Sequence, residues 1–178
     1  MIHGLYSLVM RGAQPLLRRK LAEVATLPNL DTTVGPVRRA GGRGDDARTR
    51  EEAYRSLGFE PVVVEGGDAL ARLRVRLTEA AWSLDLLQRA GCATVPGPSG
   101  YAGVSGMGVA AVETPRGAAT LRVALEDGEV VSAALDTPSG RHLGMVKTVT
   151  EQREVADALV GVGSLDLSPW EMIREAAG

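Results

Sequence analysis

Between Asp68 and Gly91, apolar residues return every three or four positions: Leu70, Leu73, Leu77, Ala80, Leu84 and Leu87. That spacing predicts one amphipathic helix of about 22 residues, roughly 33 Å long, whose apolar stripe faces a core or a partner helix. Asp68 suits its N-cap and Gly91 its C′ position. Arg72 and Arg76 sit one turn apart on a neighbouring face. Farther on, the period drops to two. Leu121, Val123 and Leu125 alternate with Thr120, Arg122 and Ala124, Asp127-Gly128 suits a tight turn, and Val130 to Leu135 returns. This predicts a hairpin over 120–135, joined by a strand from Val109 to Glu113.

The remaining pattern is weaker. Leu16, Leu17, Leu21 and Val24 predict a helix within residues 1–30, with Arg18, Arg19 and Lys20 facing elsewhere and Pro28-Asn29 ending it. The charge-rich, glycine-broken stretch 31–60 reads as a solvated loop, and residues 91–108 as an extended one. After a turn at Pro138-Ser139-Gly140, residues 150–161 read as a helix with Val155, Ala158 and Leu159 inward and a capping box of Thr148 and Glu151. Ser168, Pro169 and Glu171 suit the N-cap, N1 and N3 positions of a last short helix, with Trp170 anchoring it in the core. The order predicts an α+β fold: a helical layer carrying a small antiparallel sheet.

Composition narrows the function classes. A chain of 178 residues suits one sizeable core. A net charge of −2 and 3% aromatic residues argue against nucleic-acid binding, which needs a basic surface or stacking platforms. Cys92 is the only cysteine, so one chain builds neither a disulfide nor a thiolate metal cluster. It reads as an inert side chain at a helix end and fits a reducing cytoplasm. His3 and His142 are far apart, and His142 reads as a surface residue of a turn. No apolar run approaches a membrane span of about 20 residues. The stretch Ile2 to Met10 is followed by Arg11, which reads as part of the mature protein rather than a signal peptide. The glycine-rich run Gly103 to Gly108 lacks a Lys and opens no periodic helix, so no phosphate loop is expected.

Four stretches carry a resemblance. Val34-Gly35-Pro36-Val37-Arg38-Arg39-Ala40-Gly41-Gly42 is similar to a Gly-Pro-x-x-Arg-Ala-Ser-Gly segment, followed by Asp46-Ala47-Arg48 and Tyr54. Gly67-Asp68 opens a helix bearing Arg72, Arg76 and Glu79. Glu113-Thr114-Pro115-Arg116-Gly117 resembles a Glu-x-Pro-Arg-Gly loop, with Asp136-Thr137-Pro138-Ser139 after the hairpin. Gly163 to Glu171 contains Asp166, with Ser168 and Glu171 where metal-binding relatives carry two cysteines. In this order the motifs resemble the nickel–iron hydrogenase large subunit and the 49-kDa, quinone-site subunit of respiratory complex I, which shares that fold and lacks those cysteines.

The resemblance covers about residues 34–174 and matches the family's C-terminal half, leaving residues 1–33 as an N-terminal helical lead. His3 and Tyr6 do not stand in the context of the family's quinone-contacting His and Tyr. The resemblance implies no nickel, no metal ligand and no cofactor held by the chain alone, with a quinone or a partner's iron–sulfur cluster as the redox groups. It places Arg116 and Asp166 at the catalytic positions, either lining a polar channel or simply pinning the Pro-Arg-Gly loop. Glu113, Arg39, Arg72 and Arg76 form a surrounding polar network, in which Glu113 relays a proton or pairs with an Arg. Arg72 and Arg76 are expected to pair with acids of the 45–52 segment. The implied role is a component of an NADH- or quinone-linked oxidoreductase complex, inactive alone. Its expected partners are an iron–sulfur subunit, a separate N-terminal half, or both, in a peripheral membrane complex. The alternative is a stand-alone structural or regulatory module, a homodimer that kept the fold and lost the chemistry.

Overall fold

The computed structural model describes residues 21–92 and 103–171. Its elements in order are α1 (Gly35–Arg39), a 3-10 turn (Ala47–Arg50), α2 (Glu52–Ser56), α3 (Ala69–Ala90), β1 (Gly106–Thr114), β2 (Gly117–Glu126) and β3 (Glu129–Asp136). They are followed by α4 (Pro138–His142), α5 (Val146–Thr150), α6 (Val155–Leu165) and a closing 3-10 turn (Pro169–Glu171). The fold is α+β.

The long helix forms as its sequence dictates. The Asp68 carboxylate accepts the Ala71 N–H at 2.7 Å, satisfying an orphan donor of the first turn. Gly91 ends the helix at φ +66°, where a side chain would be strained. Its buried face differs from the leucine stripe. Ala69, Leu70, Ala71, Arg72, Val75, Ala81 and Leu86 are buried, whereas Leu84 and Leu87 are 41% and 66% exposed. Small residues win the inner face because α1 must come close: Ala40, Ala71 and Val75 form one core cluster.

The sheet has the order β1-β2-β3, antiparallel throughout. Asp127 and Gly128 turn β2 into β3 with φ of +50° and +85°, as a primed two-residue turn requires. A bulge at Ala124/Leu125 precedes it. Only the end of the sheet nearest the helices is packed. Gly117 and Ala119 are buried, while β3 is exposed up to Leu135.

The second core cluster joins Ala25, Leu27, Val37, Val149 and Leu165. It draws in chain on both sides of residue 33. Glycines set two close approaches here. A Cβ on Gly35, at φ +57°, would lie 2.2 Å from the Arg116 carbonyl oxygen, and one on Gly161 would lie 2.9 Å from that of Val149.

Several expectations are corrected. Residues 22–25 turn, with Glu23 and Ala25 at positive φ, so the N-terminal helix does not reach Val24; Leu16 and Leu17 lie outside the described residues. The stretch 31–60 is no solvated loop: it holds two short helices, and Arg39 is fully buried. Thr148 lies inside α5 and Glu151 ends it, so their capping box caps nothing. The following helix starts at Val155, and Val155 and Leu159 are 76% and 69% exposed. Its inward face is Gly161 and Leu165, because Gly161 lets the helix touch the backbone of α5. Trp170 is 84% exposed instead of anchoring the core. No helix among the described residues is long and apolar enough to cross a membrane.

Candidate functional site

The segments Gly35-Pro36 and Pro115-Arg116-Gly117 meet back to back, and the glycines are what allow it. The contact brings α1, the β1–β2 turn and the Arg-rich face of α3 around one polar interior.

Its deepest part is an ion cluster. Arg39 Nη1 lies 2.8 Å from Asp46 Oδ2 and 3.5 Å from Glu113 Oε1, and its Nη2 lies 2.6 Å from Glu79 Oε1. Arg48 Nη2 adds contacts of 2.7 Å to Asp46 and 3.4 Å to Glu79. Two guanidiniums thus face three carboxylates. Burial alone would raise the Asp46 pKa, but hydrogen bonds from Arg48 and the Arg39 charge hold it below the usual range. Burial raises the Glu79 carboxyl, and the arginine charges offset this only partly. Burial and then the Asp46 charge raise Glu113, whose backbone bond from Ala47 N–H is long at 3.4 Å. Arg48 also lies over the Phe59 ring, 4.4 Å from its centroid.

Arg116 and Asp166 do come together. Arg116 Nε donates to the Asp166 carbonyl at 2.8 Å and lies 3.2 Å from its carboxylate, while Nη1 reaches Glu171 at 3.3 Å. Asp166 adopts a left-handed backbone at φ +55° as the cap of α6, which turns its carbonyl toward Arg116. Glu171 is held in turn: its Oε2 accepts from Ser139 Oγ at 2.5 Å and Ser139 N at 3.3 Å. Ser139 Oγ also accepts the Ser168 N–H at 3.0 Å.

Arg72 and Arg76 do not pair with the 45–52 acids; of these, Asp46 is held by Arg39 and Arg48, and Asp45 by Arg38. Arg72 is fully buried and donates to the carbonyls of Gly67 and Ala25 at 2.8 Å and to Ser164 Oγ at 2.8 and 3.0 Å. Burial, then the nearby Arg76 charge, lowers its pKa to about 10. Arg76 Nε is buried without a hydrogen-bond partner among the described residues; Asp166 Oδ2 stands 3.8 Å away. Burial lowers Arg76 as well. His142 is a correction: it is 1% exposed, and its Nε2 accepts the Val34 N–H at 3.1 Å. Burial, with Arg76 nearby, lowers it to about 4, so the ring is a neutral acceptor.

A cavity of about 510 Å³ opens beside these groups, walled by Arg76, Glu79, Glu113, Pro115 and Asp166 among others. Glu113 and Asp166 reach it from well-separated parts of the sequence. Sequence reasoning missed His142, Ser139 and Ser164 as site-forming groups, because their partners lie 108, 32 and 92 residues away. Asp46, Arg48 and Glu79 were visible only as motif positions. Among the described residues, no group of three or more His, Cys, Asp or Glu is arranged to hold a metal ion.

Comparison with known proteins gives a family match and two relatives. The family model for the respiratory-chain NADH dehydrogenase, 49 Kd subunit, matches residues 12–101. An NADH-quinone oxidoreductase subunit of Desulfotalea psychrophila is 30% identical over 150 residues, covering 79% of this chain and 40% of that protein. A corresponding NADH-quinone oxidoreductase subunit of Opitutus terrae is 31% identical over 168 residues, covering 85% and 42%. The chain thus spans about two fifths of the length of the curated relatives it matches.

Proposed function

The chain belongs to the 49-kDa subunit family of the respiratory-chain NADH dehydrogenase, and from that premise we propose that it is a component of an NADH- or quinone-linked oxidoreductase complex, in the place its 49-kDa relatives hold. In this reading it is inactive alone. Partners supply the iron–sulfur centre and the rest of the quinone chamber.

The observation that carries the reading is convergence. Three separate motifs, Gly35-Pro36, Pro115-Arg116-Gly117 and the Asp166 to Glu171 segment, pack into one polar interior beside a cavity. Arg116 acts there as a positioning residue, tying the β1–β2 turn to the end of α6 through Asp166 and Glu171. Asp166 and Glu113 present carboxyl groups to the cavity. Glu113, weakly held and raised, is the group best suited to give or take a proton there. Nickel does not fit the hydrogenase-type positions. Glu171 binds Ser139 and Arg116 through its two oxygens, Ser168 is a hydroxyl, and neither offers the thiolate of such sites.

Genetic replacement tests the role. Membranes from a host lacking this chain should lose quinone reduction driven by the complex. Wild type should restore it and Arg116→Gln should not, while the purified variant keeps the wild-type circular dichroism spectrum. Full activity without the chain would refute the proposal.

A further inference from the structure

The sheet order β1-β2-β3 leaves one edge of β1 unpaired among the described residues. Along that strand, Gly106 to Val112 are all exposed, and none is charged or proline. An unguarded edge of this kind is a template for another strand. β3, the opposite edge, carries Glu129 and Asp136 at its two ends.

Pairing sorts the side chains onto two faces. Ala110 stands opposite Leu121 and Leu121 opposite Leu135; Gly108 stands opposite Val123 and Val123 opposite Ala133. One face is therefore apolar across all three strands, and Leu121 and Leu135 on it are 42% and 61% exposed. The other face is mixed, with Val109, Arg122 and Ala134 in one row. A strand of about seven residues, roughly 23 Å long, laid beside β1 would continue the apolar face and pair its open backbone groups.

Charge fixes the chemistry of that strand. Glu126, Asp127 and Glu129 crowd the β2–β3 turn and are exposed, and no Lys or Arg lies between Val123 and Gly140. The acidic turn lies at the Gly106 end of β1, because Gly106 pairs with Leu125. We propose that β1 is the docking edge for an extended segment of a different protein, apolar where it continues the Leu121–Leu135 face and bearing Lys or Arg beside Gly106. A second copy of this chain does not meet that need. Antiparallel pairing of two β1 strands in register brings Glu113 and Thr114 to the acidic end, and the nearest cation, Arg116, is committed to Asp166 and Glu171. Parallel pairing sets one acidic turn beside the other. The same acids repel nucleic acid and anionic lipid.

The inference does not depend on the oxidoreductase reading. If the chain joins the complex but β1 pairs with nothing, only this inference fails; if β1 pairs but no such complex forms, only the proposed function fails.

The test titrates the full chain with the synthetic peptide Lys-Thr-Val-Thr-Val-Thr-Val, its glutamate counterpart with Glu for Lys, and the reversed sequence of each. Amide hydrogen exchange is followed residue by residue. One lysine peptide should bind and slow exchange across Gly106–Val112 but not across Glu129–Asp136. Its glutamate counterpart should bind about tenfold more weakly or worse at low salt, and the gap should close near about 1 M salt. Glu126→Gln with Glu129→Gln should bring the two peptides within about threefold of each other. Val109→Asp should weaken the lysine peptide by about tenfold despite its added negative charge, whereas Val131→Asp on β3 should not weaken it. Both positions are exposed, and both variants should keep the wild-type circular dichroism spectrum. In the chain's own host, a photoreactive residue at Met107, which is 89% exposed, should crosslink to a different protein. The crosslinked segment should alternate apolar residues and carry Lys or Arg at one end. Crosslinking to a second copy, protection confined to β3, equal binding of both peptides, or no binding by either would overturn the proposal.

Discussion

Two guanidiniums hold three carboxylates around Arg39, which has no exposed surface. Such a cluster is not evidence of stability in itself, because desolvation offsets attraction, but breaking it leaves charge stranded. Arg39→Ala should cost about 3–5 kcal/mol by denaturant titration; a loss below about 1 kcal/mol would mean that the acids are not held as described. His142 gives a second prediction. Its folded pKa is about 4 against an ordinary value of 6.5, so the unfolded state binds the proton between those values. Its contribution is full above about pH 6.5 and disappears as pH falls toward about 4, on the order of 3 kcal/mol in all. Glu79 and Glu113, raised in the fold, act with the opposite sign: their native forms hold protons that the unfolded chain has released above about 4.5. His142→Gln separates the two. Wild type should lose more stability than the variant between pH 7.5 and 5; parallel losses would contradict a buried neutral imidazole. The sequence offered Arg39 and Glu113 as members of one polar network through motif resemblance; the burial of His142 was not legible, because the Val34 N–H it accepts is 108 residues away.

Helix α3 and the hairpin were legible because each carries a long, unbroken period and its own punctuation, Asp68 and Gly91 for one, Asp127-Gly128 for the other. Which face of α3 packs was legible only in part: Leu70 is buried and Leu73 and Leu77 are half-buried, but Ala80, Leu84 and Leu87 at the far end of the stripe are exposed. Close approach to α1 selects Ala71 and Val75 instead. For α6 the difficulty was an apolar sequence on every side, Val-Ala-Asp-Ala-Leu-Val-Gly-Val, so that Gly161 contact decided the orientation. Two pairs of substitutions test these packings. Leu159→Gln should change stability by no more than about 0.5 kcal/mol, whereas Leu165→Ala should cost about 2–5 kcal/mol. Gly35 and Gly91 share a positive φ, yet only Gly35 faces backbone. Gly91→Ala should cost about 1 kcal/mol for strain alone, and Gly35→Ala about 3 kcal/mol or more. Equal melting shifts for both would contradict the contact between the Gly-Pro segment and the Pro-Arg-Gly turn.

At the scale of the molecule, an ion cluster lies inside beside two apolar clusters, and large apolar side chains also lie outside. Met107, Val109, Val130, Val131 and Leu135 of the sheet, with Val155, Leu159 and Trp170 of the helical side, are all more than half exposed. Surfaces of that kind mark contact with other chains, in keeping with membership of a larger assembly. The candidate pair Arg116 and Asp166 was legible through motif resemblance, and the structure joins them. The cavity beside them was not, because its walls come from four separate stretches of chain. The most direct test of membership in an oxidoreductase complex is purification of the tagged chain from its own host in mild detergent, followed by identification of what co-elutes. An iron–sulfur subunit and other complex components should co-elute in fixed proportion. Recovery of the chain alone, as a stable monomer or homodimer, would contradict it.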